Sequence, residues 1–314
     1  MEAVWNRRGS KEHFWRSQHL RLNDLKEKAK AAGLRSDYLF KDNIPESPRP
    51  EFYVSHVKHD TDKEGLRGIR TDNGFKAPFK DPSSGFDLLW WSLSVGPDEI
   101  TSAERRLLEK TYPDQMDLLE KFTTSPAFLK TSRLGSYRFT FPLKDLLEAY
   151  REQFCSDAPP VMRVFKTVLY KQEVNHVVLV HSPDQEHQFS DYPLLTDNPD
   201  AVCTYRDGCF IWRPEAMSGT HGYELIVGSD QMEAQLLSRS QTEHYVWDNV
   251  SIALHVPNKQ VLNFDAGRLR DNLKFCHEGY PSIIPRYKFH NFQGAEQLVN
   301  NLWPNHPSPL EKDE

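Results

Sequence analysis

The sequence predicts a mixed α+β fold with largely antiparallel sheets and flanking helices. Helical periodicity is confined to a few segments set among strands in the first half of the chain. The second half is dominated by short β-branched and aromatic runs broken by Asp, Gly, Pro and Asn. A doubly wound parallel sheet would need helices alternating with strands throughout, and this pattern is missing.

The elements follow in order. Residues 1–45 read as a basic helical arm, in which EHFWRSQHLRLNDLKEKAKAAG ends at Gly33. Residues 1–36 carry nine Lys or Arg against four Asp or Glu, leaving a net of −11 on the rest. Such an arm suits an acidic or nucleic-acid partner, or packs Phe14, Trp15, Leu20 and Leu25 on the body. Pro45, Pro48 and Pro50 make a stiff connector into an α+β domain over 46–303. EFYVSHVKH is a strand, EGLRGIRTDNGF a helix closed by Gly74, and DLLWWSL a buried strand. Helices near 64–72, 99–111, 143–154 and 266–275 present Leu or Ile at three- and four-residue spacings. Strands are expected at EKFTTSPAFL, SYRFTF, VMRVFKTVLY, QEVNHVVLVHS, VCTYRDGCFIWR, HGYELIVG, HYVWDNVSIALHV and QVLNF. GAEQLVNNLW is a last short helix, and 304–314 reads as a disordered tail. The expected core comprises Leu89, Trp91, Leu107, Phe139, Leu146, Val164, Val178, Val180, Ile211, Val246 and Ile252.

Composition removes several classes of function. Seven Trp, 18 Phe and 12 Tyr require a packed interior, so a wholly disordered chain is excluded. A formal net charge of −6 argues against a basic nucleic-acid coat. No apolar run approaches the ~18–20 residues of a membrane span. The opening MEAVWNRRGSKEHFWR has no apolar core of a secretory signal. Four cysteines without a CxxC then read as reduced thiols in a cytoplasmic protein. Walker, Rossmann, HExxH, GxSxG and deaminase motifs are absent. His176 and His181 lie five apart, on opposite faces of a strand, so no metal site is expected. Cys155 reads as a buried thiol rather than a nucleophile.

One constellation remains. A strand bearing His56 precedes a short helix; Trp90 and Trp91 lie on a later strand; Thr124 and Ser125 follow in FTTSPAF; Glu173 opens a late strand. Over residues 51–182 this order resembles the ADP-ribosyltransferases, glycosyl-transfer enzymes whose split sheet clasps NAD. The resemblance implies NAD as a substrate, transferred to an unidentified acceptor. It places His56, Trp90 or Trp91, Thr124 and Ser125 around the dinucleotide, with Glu173 as the catalytic carboxylate. Cleaving the nicotinamide–ribose bond builds positive charge on the sugar, which a carboxylate stabilises more in the transition state than before it. Lys171, two residues ahead of Glu173, argues against arginine as acceptor.

A second likeness spans more of the chain. The string WWSL…FTTSPAF…YRFTFPL…YKQE…VLVH…YVWDNV resembles a multi-copy family of animal proteins of unassigned activity. That likeness supports a real folded domain without naming its chemistry; the alternative reading is a non-catalytic α+β interaction module, in innate defence by association. A third reading makes His56, His59 and His176 the acid and base of a nuclease.

Overall fold

The computed structural model describes residues 1–6, 9–35, 39–40, 48–111, 118–170, 173–197, 202–215, 223–227, 232–236, 247–279 and 282–313. The strands are β1 (Glu2–Trp5), β2 (Lys11–Arg16), β3 (Phe52–Val54), β4 (His56–Thr61), β5 (Gly74–Phe75), β6 (Leu88–Ser94), β7 (Tyr137–Pro142), β8 (Val161–Tyr170) and β9 (Glu173–His181). They continue with β10 (Cys203–Arg206), β11 (Cys209–Trp212), β12 (Tyr223–Val227), β13 (Met232–Leu236), β14 (Trp247–His255), β15 (Leu262–Asn263), β16 (Leu273–Phe275) and β17 (Glu311–Lys312). The helices are α1 (Leu22–Ala31), α2 (Lys63–Asp72), α3 (Pro97–Thr111), α4 (Leu143–Phe154), α5 (Glu186–Phe189), α6 (Ala266–Asp271) and α7 (Phe292–Leu302). No helix among the described residues is long and apolar enough to cross a membrane.

Ten strands form one sheet in the order β1-β2-β8-β9-β14-β6-β4-β7-β16-β17. Pairing is antiparallel except at β9–β14 and β16–β17, so the fold is mixed α+β and largely antiparallel, as the sequence predicts. The chain re-enters this sheet at Ser55: β3 before it pairs with β11 in a three-stranded sheet, and β4 after it joins the large one.

Strand alternation gives the large sheet two different faces. One carries Val57, Trp91, Leu93, Phe139, Phe141, Val178, Val180, Ile252 and Leu254, all buried in the main core. Leu66 and Ile69 of α2 and Leu143, Leu146, Leu147 and Tyr150 of α4 pack into the same core. The helical spacing seen in both segments thus does what an amphipathic stripe does. On α2, Asp62 caps the first turn by accepting from the Gly65 N–H at 3.0 Å. Its last turn is closed by Asn73 in the left-handed conformation, not by Gly74. Gly74 opens β5, where a Cβ would sit 2.3 Å from the Leu262 carbonyl oxygen.

Several expectations are corrected. Lys11–Arg16 is a strand, not the start of the arm's helix. Phe14 and Trp15 are successive and both buried, which a strand covered on both faces permits. Leu20 and Leu25 are buried as well, so this segment packs on the body. EKFTTSPAFL forms two 3-10 turns, Leu119–Phe122 and Pro126–Phe128, because Pro126 cannot donate to a ladder. The helix expected to 275 ends at Asp271, and Leu273–Phe275 pairs with β7. The described part of the expected tail, residues 304–313, is not loose: Leu310 is buried, and Glu311–Lys312 pairs with β16. Leu107 is only partly buried; the other expected core residues are buried, save Val246, which lies outside the described residues.

Candidate functional site

The opposite face of the sheet is apolar at one end, where Phe14, Val168, Val177, Leu179 and Ala253 cluster with Phe165 and Phe189. Further along, alternation places Lys58 and Asp60 of β4, Trp90 and Ser92 of β6, Glu173 and Asn175 of β9, and Asn249 and Ser251 of β14 on that face. They line a cavity of about 460 Å³, within the range of small-molecule sites.

A strap, residues 125–135, roofs part of this cavity and is gripped from the sheet. The Ser125 hydroxyl caps the 3-10 turn Pro126–Phe128 by accepting from the Ala127 N–H. The buried Lys58 ammonium donates to the carbonyl oxygens of Pro126 at 2.6 Å and Leu129 at 3.0 Å. Arg138 donates to those of Leu129, Lys130 and Thr131 at 2.9–3.2 Å. The strap rejoins the sheet at Gly135, with φ at 141° and the Thr61 carbonyl so close that no Cβ fits.

Three acidic side chains of the cavity, Asp60, Asp81 and Glu173, are each paired with a cation. Arg138 holds Asp60 through two bonds of 2.7 and 2.8 Å. Burial pushes the Asp60 carboxyl up, but the charge and hydrogen bonds of Arg138, with the Lys58 charge and the Ser132 hydroxyl, together outweigh it and hold the group below the usual range. Lys166 sits 3.2 Å from both oxygens of Asp81 and 4.9 Å above the Phe165 ring. Burial pulls the Lys58 ammonium down to about 7, with Arg138 adding to the effect. At the far end the strap delivers Arg133 to Glu173, whose two carboxylate oxygens accept from the two ends of the guanidinium, one at 3.1 Å. This fork is the strongest geometry available to such a pair.

The register fixes where the predicted residues lie. Glu173 pairs with Trp247, and Trp90 with Ala253, six residues further along β14. At ~3.3 Å per residue, Glu173 and Trp90 therefore mark cavity ends about 20 Å apart along the strands. Trp91 points the other way, its ring packed on His59, Phe75 and Phe141 in the core. His56 is exposed at the start of β4, beside the Ser55 hydroxyl, and does not line the cavity. It lies three strands from β9, roughly 15 Å or more from Glu173 at ~4.8 Å per strand. Thr124 and Ser125 sit at the root of the strap, outside the lining. The cavity thus unites Glu173 with Trp90 but not with His56, Thr124 or Ser125.

Four cations and a row of amides escaped the sequence reading. Lys58, Arg133, Arg138 and Lys166 are single charges in strands or loops, and only the pairing register brings them together. Asn175, Asn249 and Ser251 did leave a signal: polar residues in register on neighbouring, otherwise apolar strands.

The other constellations do not assemble. Of the nuclease trio only His59 borders the cavity. His176 is buried against Thr167 and His19. Cys155 is buried, and burial pushes its thiol up. Among the described residues no group of three or more His, Cys, Asp or Glu is placed to hold a metal ion. No family model, no curated protein and no solved structure matches this chain.

Proposed function

We propose that the cavity takes NAD, or a dinucleotide of the same chemistry, and that Glu173 acts on its ribose in an ADP-ribosyltransferase-like reaction. One observation carries this reading: Glu173 and Trp90 line opposite ends of one cavity studded with Lys and Arg side chains. A dinucleotide has that plan, with two flat rings joined through two sugars and a central pyrophosphate. The Trp90 indole offers a face for one ring. Lys166, in the row of Val177 and Ser251 between those ends, suits the phosphates. Glu173 then faces the sugar of the other ring, where positive charge develops as the bond to nicotinamide breaks. The indole belongs to the far ring, not to the nicotinamide.

Turnover requires that Glu173 exchange its partner. The switch from the small sheet to the large one at Ser55 supports the split-sheet element of the proposal. The Arg133 fork favours a second reading, in which the chain binds the ligand without turning it over. Lys171, the basis for excluding arginine as acceptor, lies outside the described residues. An acidic partner, protein or nucleic acid, is proposed for the outward side of α1, where Lys28 and Lys30 are exposed.

Calorimetric titration with NAD tests the site. Trp90→Ala is expected to weaken binding at least tenfold without changing the melting temperature by more than a few degrees. No heat with the unmutated chain, or equal affinity in both, contradicts the proposal.

A further inference from the structure

The floor of the cavity carries an unanswered hydrogen-bond acceptor. β9 and β14 run parallel with Asn175 opposite Asn249 and Val177 opposite Ser251. Both amides face the cavity. The Ser251 hydroxyl donates to the Asn175 side-chain oxygen at 3.0 Å, so one of the two carbonyls is satisfied within the sheet. The other is not. Asn249 is 9 % exposed, and its Oδ1 is sealed from solvent with no hydrogen-bond partner among the described residues. A buried carbonyl without a donor is costly, and folded proteins keep few of them. The neighbouring hydroxyl that could have donated is already spent on Asn175.

The position of this acceptor matters. Asn249 lies one strand across and two residues along from Glu173. At ~4.8 Å between strands and ~3.3 Å per residue, their Cα atoms are about 8 Å apart. A ligand whose sugar meets Glu173 can therefore bring the ring attached to that sugar over Asn249. An asparagine amide presents one acceptor and two donors in a single plane. Its complement is a second planar amide, whose N–H answers Oδ1 and whose oxygen accepts from Nδ2. A carboxylate in the same place would set negative oxygen against the buried carbonyl.

We infer that Asn249 reads the ligand, its side-chain amide turning so that the unpartnered carbonyl accepts a hydrogen bond from the carboxamide of a flat ring seated beside Glu173. The inference takes its ligand class from the dinucleotide reading and adds the residue that recognises the ring's edge.

The test uses the full chain, labelled with nitrogen-15, and two small probes followed by NMR. Nicotinamide carries the carboxamide; nicotinate is the same ring with a carboxylate. Nicotinamide is expected to bind at least tenfold more tightly than nicotinate and to shift one asparagine side-chain amide signal. That signal is missing from the spectra of Asn249→Leu and Asn249→Asp. Both variants are expected to bind nicotinamide at least tenfold more weakly. No binding of nicotinamide, equal affinity for the two probes, or unchanged affinity in a folded variant overturns the inference. If neither variant folds, the two probes on the unmutated chain still decide, since equal affinity or no binding refutes it. NAD titrated into the same unmutated sample separates the two claims. NAD binding with nicotinamide affinity indifferent to residue 249 sinks the inference alone, whereas nicotinamide recognition without NAD binding sinks the dinucleotide reading alone.

Discussion

Replacing Arg138 by methionine should be among the most destabilising single changes in this molecule. The guanidinium is 3 % exposed and donates to Asp60 twice, to Asp313 at 2.6 Å and to three carbonyls of the strap. Methionine keeps most of the volume, so the loss is electrostatic rather than a cavity. It leaves Asp60, 12 % exposed, with only Lys58 and Ser132 to offset its burial, and breaking a buried ion pair in this way costs about 3–5 kcal/mol. At ~2–4 °C per kcal/mol, the melting temperature should drop by about 6 °C or more. The sign of the pH dependence is fixed too. In the unmutated chain burial raises the Asp60 pKa, and Arg138, Lys58 and Ser132 together more than reverse this, so the folded-state value lies below the unfolded one. The stabilisation is therefore present above the unfolded pKa of about 4 and is lost as pH falls through the folded value. The gap between parent and Arg138→Met should narrow on acidification, and Asp60→Asn in the variant background should recover part of the loss at neutral pH. Urea denaturation at pH 7 and pH 3.5 measures both. A variant within about 1 kcal/mol of the parent at pH 7, or a gap independent of pH, refutes the reasoning.

Two further outcomes bear on the fold. Val178 and Ile252 are fully buried and directly opposed in the parallel β9–β14 pair, so Val178→Asp should yield insoluble or unfolded protein; a soluble variant with a cooperative melt would mean that the strand faces are misassigned. Asp248 is buried on β14, accepts from the Glu215 backbone N–H at 2.9 Å, and is pushed up by burial to about 8. Its folded-state pKa lies above the unfolded one, so it lowers stability as pH rises from about 4 to about 8, by up to ~1.4 kcal/mol per pH unit. Asp248→Asn should flatten that slope in denaturation curves at pH 5, 6.5 and 8; an unchanged slope contradicts the assignment.

How much of this could be read from sequence depended on whether the signal was local. α4 was legible because Leu143, Leu146, Leu147 and Tyr150 form one stripe, and all four are buried. β8 and β9 were legible as β-branched runs. The arm was misread because Lys11–Arg16 holds charges and aromatics without period, and only pairing with β8 decides for strand. The C-terminal residues were misread because their anchors, Leu310 in the core and Asp313 on Arg138, reach across the chain. The site divides the same way. Glu173 stood out as an acid at a strand start. Arg133 is forty residues away, and nothing in its own surroundings indicates that a strap carries it to that acid. Trp90 and Trp91 are adjacent, and alternation alone sends one to the cavity and the other to the core.

The most direct measurement is the fate of NAD incubated with the chain and with Glu173→Gln. Free nicotinamide and labelled acceptor are followed by chromatography, and NAD affinity by calorimetry on the same samples. The carboxylate's place at the developing charge predicts release from the unmutated chain and at least a hundredfold loss in the glutamine variant, with folding and affinity retained. Equal release from both, or NAD bound by the unmutated chain without nicotinamide release across a panel of acceptors, contradicts the catalytic role of Glu173.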